Sequence, residues 1–194
     1  VFQAFPGSTF MVPGDHDAVQ SIETYYSAFY GPRDYTFIYG NTRFIALNDT
    51  ESLAAEGTFT EAQYTWLEAT LAAATEEHII IVQQHPIVQP PWGNGKGFSI
   101  TQRLRAANLY AQYGVELVIS GDTHGYEYRL IDRSAITGMN GSFYQLVTGG
   151  AGGKITTYGG DHFYTVVRIT DAGIEVTRID EPDSNLKMTI TGDN

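Results

Sequence analysis

Two strings decide how this chain reads: Val12-Pro13-Gly14-Asp15-His16-Asp17, and Ser120-Gly121-Asp122-Thr123-His124-Gly125-Tyr126-Glu127. Each follows an apolar run that reads as a buried strand, Phe10-Met11-Val12 in the first and Val115-Glu116-Leu117-Val118-Ile119 in the second. A glycine then turns the backbone and delivers carboxylates and imidazoles to the strand's C-terminal end. That edge of an open α/β sheet is where ligand sites gather. Between them a third run, Ile79-Ile80-Ile81-Val82, passes through Gln83-Gln84 into His85-Pro86. Three strand ends bearing Asp and His predict a metal site.

Working outward, Tyr35-Thr36-Phe37-Ile38-Tyr39 and Arg43-Phe44-Ile45-Ala46-Leu47 flank Gly40-Asn41 and predict a hairpin. Thr60 and Gln63 have capping-box spacing, and Phe59 and Tyr64 stand where a hydrophobic staple places its two members. The helix so started sets Tyr64, Leu67 and Leu71 on one face. A loop rich in Pro and Gly covers 90–97, a composition common at the rim of a site. Within it, Trp92 either stacks on a substrate group or anchors its own loop. A second helix is predicted over 101–113, stopped by Gly114. Beyond residue 143 short alternating strands are expected over 143–147, 163–169, 174–179 and 187–190. Helix and strand alternate first and strands dominate later, which predicts one α/β sandwich domain over 1–194 with an antiparallel portion.

The chain has 194 residues, enough for one domain with a sizeable core, and its 42% apolar content argues against disorder. A net charge of -11 disfavours a nucleic-acid or anionic-membrane surface. No window is apolar for long enough to span a bilayer. With no cysteine, disulfides and thiolate-bound zinc are excluded. The chain opens at Val1 without an initiator methionine, so a processed or truncated N-terminus is expected. Asn48-Asp49-Thr50 and Asn140-Gly141-Ser142 match the glycan-acceptor pattern and weakly support a secreted or periplasmic protein. The run Gly149 to Gly153 before Lys154 is no P-loop, because Thr148 and Ile155 break the spacing; it reads as a turn beside the site. His78 reads as a strand opener and His162 as a surface or satisfied histidine. No Gly-x-Ser-x-Gly string is present, which argues against a serine hydrolase.

Taken together, Gly14-Asp15-His16-Asp17, Gln84-His85-Pro86 and Gly121-Asp122-Thr123-His124 resemble, in order, the last three motifs of the calcineurin-like metallophosphoesterases, which include the purple acid phosphatases. Thr60-Glu61-Ala62-Gln63 with Trp66-Leu67, the run Tyr113-Gly114-Val115-Glu116-Leu117-Val118, and Thr148-Gly149-Gly150 are similar to that family's flanking text. The resemblance implies a four-layer α/β/β/α sandwich and hydrolysis of phosphoric esters. Two cations roughly 3.5–4 Å apart neutralise phosphoryl oxygens and supply hydroxide in such chemistry. It further implies metal ligation by Asp15, His85, Asp122 and His124, with His16 protonating the leaving oxygen and Asp17 orienting that imidazole.

Two departures shift the expected metal. The family's asparagine is Asp15 here, and the first histidine of its closing pair is Asp122. Harder oxygen donors favour manganese, magnesium or calcium over zinc or iron, with up to two ions. The family's Asp-x-His and Gly-Asp-x-x-Asp motifs would lie upstream of Val1, so the domain is expected to be N-terminally truncated, with self-association or complementation by the missing segment left open. Two functions follow. One is a metal-dependent hydrolase acting on a small phosphate ester. The other is a catalytically degraded protein of the same fold serving as a binding or assembly subunit.

Overall fold

The computed structural model describes residues 7–19, 22–50, 56–93, 97–150, 162–180 and 185–191, the last segment and the start of the first helix as backbone. After a short 3-10 turn (Asp17–Val19) come α1 (Ile22–Tyr30), β1 (Tyr35–Tyr39), β2 (Thr42–Leu47), α2 (Glu61–Ala72), β3 (His78–Gln83), α3 (Ile100–Gln112) and β4 (Leu117–Ser120). Five further strands follow: β5 (Tyr126–Ile131), β6 (Phe143–Thr148), β7 (Phe163–Thr170), β8 (Gly173–Asp180) and β9 (Asn185–Thr191).

Local chemistry accounts for the elements. Tyr39 pairs with Thr42 across Gly40-Asn41, and Gly40 takes φ 61°, a left-handed value that suits a two-residue hairpin turn. At α2, Gln63 N–H donates to Thr60 Oγ1 at 3.2 Å and Thr60 N–H donates to Gln63 Oε1 at 2.9 Å, a reciprocal box of about 1 kcal/mol. The staple forms as well: the Phe59 and Tyr64 rings meet edge to face, 5.5 Å apart. Gly114, at φ 71°, lets the chain turn out of α3.

Strands β2, β3, β4 and β6 run parallel, with β1 and β5 antiparallel at the two edges, in the order β1-β2-β3-β4-β6-β5. The β2-α2-β3 and β3-α3-β4 crossovers cover one face, where Ile45, Leu47, Ile79, Ile81 and Val118 pack with Leu67, Leu71, Ala107 and Tyr110. On the other face Ile80, Leu117 and Leu146 pack with Ile174 and Val176 of the antiparallel sheet β7-β8-β9. Together these form the α/β sandwich expected from the sequence.

Two expectations change. Phe10-Met11-Val12 is not a strand. Phe10 is instead stacked on Phe37 of β1 at 3.8 Å, and the Met11 carbonyl accepts from the Tyr35 hydroxyl, so side chains rather than a ladder hold this segment. The second change is β5, which follows His124 directly and was not anticipated. The glycan pattern at Asn48 also fails sterically, since Asn48, Asp49 and Thr50 are all buried; Asn140 to Ser142 lie in an exposed turn.

Candidate functional site

Because β2, β3, β4 and β6 are parallel, their C-terminal ends open on one edge of the sheet, and the residues following them share that edge. After β2 comes Asp49, after β3 Gln84 and His85, after β4 Asp122 to His124, and after β6 Gly149. Close backbone approach joins the last two. Gly149 N–H donates to the Gly125 carbonyl at 3.1 Å, and a Cβ at Gly149 would stand 3.0 Å from the His124 backbone.

Alternation along β3 sorts its end into two faces. Residues 79, 81 and 83 face the helices; 80 and 82 face the small sheet. His85 continues the first series. Its imidazole is 1% exposed, with Nδ1 3.3 Å from Asp49 Oδ1, an ion-pair contact off hydrogen-bond alignment. Asp49 is fully buried and accepts the backbone N–H groups of Gln84 and His85, at 3.3 and 2.9 Å. Beside it, Tyr110 Oη donates to Gln83 Oε1 at 2.7 Å, and Gln83 Nε2 donates to the His85 carbonyl. Burial pushes the Tyr110 hydroxyl well up, which keeps it a donor. For His85, burial pulls the imidazole down, but the adjacent Asp49 carboxylate, with those of Asp122 and Asp15, outweighs it and leaves the value raised. Gly57 closes this plate from the side: a Cβ there would meet His85 Cβ at 2.8 Å and Asp49 Oδ2 at 2.9 Å.

Gln84 continues the second series. Its Nε2 donates to Asp15 Oδ1 at 3.3 Å. Asp15 is half-buried and His16 is exposed at the tip of a tight turn. Asp17 Oδ2 accepts from Gly14 N–H at 2.9 Å, and Asp17 N–H returns to the Gly14 carbonyl. The structure thus uses the Asp17 carboxylate to close the turn that presents His16.

Asp122 and His124 hold φ of 59° and 54°, the left-handed region that costs a non-glycine residue about 1–2 kcal/mol. Between them Thr123 is fully buried with its hydroxyl unpartnered. Such strain persists only where surroundings impose it. Here the Gly121 N–H bond to the Gln84 carbonyl and the Gly149 contact do so.

Of the four residues expected to ligate metal, the structure brings Asp15 to Gln84, sets Asp122 and His124 on the neighbouring turn, and seats His85 on Asp49. Among the described residues no group of three or more His, Asp or Glu stands close enough to hold a metal ion. Asp15 Oδ1 is met by the Gln84 amide at 3.3 Å. The described residues alone therefore do not gather a donor set of three. Asp49 and Gln84 were missed by sequence reasoning; the parity of the β3 pattern carried through His85 was the signal that separates them. Residues 151–153 of the glycine run lie outside the described residues. The remaining histidines are structural: His78 Nδ1 meets Glu116 at 2.7 Å and His162 Nδ1 meets the Gly150 carbonyl at 3.1 Å.

Residues 2–126 match the family model of the calcineurin-like phosphoesterases. The chain belongs to that family. Its members are metal-dependent phosphoesterases, and solved structures carry the same fold. A purple acid phosphatase from yellow lupin seeds aligns with 83% of this chain and 33% of its own, at 19% identity and TM-score 0.63. For GAP50, the anchor in the inner membrane complex of Plasmodium, the coverage is 82% and 55%, identity 17% and TM-score 0.57. A dimetal phosphatase from Danio rerio gives 81%, 60%, 15% and 0.56. No curated protein matches the sequence. The chain thus spans between a third and three fifths of the length of these structures.

Proposed function

We propose that this calcineurin-like phosphoesterase chain acts in the hydrolysis of phosphoric esters at the parallel edge of its sheet, on a small phosphate ester rather than a polyanion. The observation that carries the reading is the meeting, across Gln84, of the 14–17 turn with the strained 121–125 turn. His16 stands exposed at the tip of the first turn and takes the role of proton donor to the leaving oxygen, work worth about 10²–10⁴ in rate. Asp17 holds its turn and Asp15 faces Gln84. The described part supplies proton handling and positioning, and the cation donors of the family's chemistry would have to include groups outside it.

The test is turnover of a chromogenic phosphodiester and a chromogenic phosphomonoester with manganese present. Wild type is expected to turn over one of them, and His16→Ala to lose about 10²–10⁴ of that rate while unfolding at the same denaturant concentration. A folded protein inert with every divalent cation sinks the proposal.

The amide donor facing Asp15 favours a second reading, in which the fold serves as a binding or assembly subunit without catalysis. GAP50, whose fold this chain shares, is an anchor by description. Absence of turnover together with absence of stoichiometric manganese binding supports that reading.

A further inference from the structure

We infer that Gln84 serves the site as a positioning residue, whose carboxamide N–H holds Asp15 and ties the 14–17 turn to the 121–125 turn. The inference deepens the site proposed above and rests on its location, not on turnover.

Three observations converge on this residue. Strand alternation sends 79, 81 and 83 toward the helices, and beyond the strand's end His85 lies beside Asp49 with 1% of its surface exposed. Gln84 is turned the other way, and its Nε2 reaches Asp15 Oδ1 at 3.3 Å. The same carboxamide lies between the two glycines that open the site's turns: its Oε1 is 3.2 Å from the position of a Cβ at Gly14 and 3.8 Å from one at Gly121. The backbone of Gln84 makes the remaining links. Its carbonyl accepts from Gly121 N–H at 2.9 Å, and its N–H donates to Asp49 Oδ1 at 3.3 Å. One residue therefore joins the loop after β2, the loop after β4 and the segment that carries His16. Of these links only the Asp15 bond is made by the side chain, so it alone responds to substitution.

The chemistry of the link is specific. Asp15 as a carboxylate only accepts, and the amide N–H supplies the donor it faces. A glutamate of the same shape supplies none and adds a like charge, whereas a residue that merely fills space between Gly14 and Gly121 is served equally well by glutamine and glutamate. Residue-resolved amide exchange at Asp17 and Ala18, whose N–H groups close the turn onto the Gly14 and Asp15 carbonyls, reads the difference. Gln84→Leu is expected to speed exchange at these two amides about 5–10-fold, the loss of one modest hydrogen bond. Gln84→Glu at neutral pH is expected to speed it at least as much, with the urea midpoint of the whole protein little changed in both. Wild-type exchange in Gln84→Glu overturns the inference, as does equal opening of the turn by His85→Gln. If Gln84→Leu does not fold, Gln84→Glu and Gln84→Ala carry the comparison. Where wild type hydrolyses the chromogenic ester, Gln84→Leu should lower kcat more than 10-fold and KM by less than about 3-fold, the mark of a misplaced group rather than a lost binding contact. Where wild type is inert, the hydrolase proposal fails and the exchange data still decide the role of Gln84.

Discussion

His85 and Gln84 are adjacent in sequence and belong to opposite worlds. His85 sits in a buried plate with Asp49, Gln83, Tyr110 and Gly57, tied from Tyr110 to Gln83, from Gln83 to the His85 carbonyl and from His85 N–H to Asp49. Gln84 borders two half-open turns in which Asp122 and His124 are held in a conformation their own side chains resist. The plate contributes stability and no exposed chemistry; the turns hold exposed chemistry at a cost in stability. This division is what positions reactive groups on a sheet edge without unravelling it.

The division can be broken at its firm side first. Asp49→Ala leaves the raised His85 imidazole and two backbone N–H groups without their buried acceptor, and should destabilise the protein by about 3–5 kcal/mol in urea unfolding. A loss under about 1 kcal/mol would show that the plate is not the anchor. On the other side the sign reverses. His124→Gly relieves a left-handed backbone and should stabilise by about 1 kcal/mol while abolishing any activity of the site, measured by the same unfolding curve together with ester turnover. The smallest effect is on pH dependence. The fold raises His85 above its ordinary 6.5, so the stabilisation is complete below that value and is lost as pH climbs through the raised one. The urea midpoint should fall as pH rises above 6.5, and the slope should flatten in His85→Gln.

What the sequence made legible is what neighbours in the chain decide. The Thr60–Gln63 box, the Phe59–Tyr64 staple, the Gly40-Asn41 turn and the Gly114 stop are all contacts within a few residues, and each appears at its expected place. Helix faces followed, since Tyr64, Leu67 and Leu71 are buried by period alone. The site was legible as a set of strand ends and not as a set of contacts. Asp49 lies 36 positions from His85 and carried a glycan-acceptor pattern that hid it. Phe10 to Val12 reads like any apolar strand, yet a strand exists only where a neighbouring backbone pairs with it, and here aromatic faces take that place. Tyr126 to Ile131 alternates polar and aromatic residues beside a motif that drew the reading to its own histidine.

The Phe10–Phe37 stack, continued by Phe37 on Phe44 at 4.9 Å, has a reach beyond its own rings. The segment it grips runs from that stack to the carboxamide that meets Asp15. One residue inserted there lengthens the span by about 3.4 Å and lets His16 swing away from the sheet edge without touching any group near it.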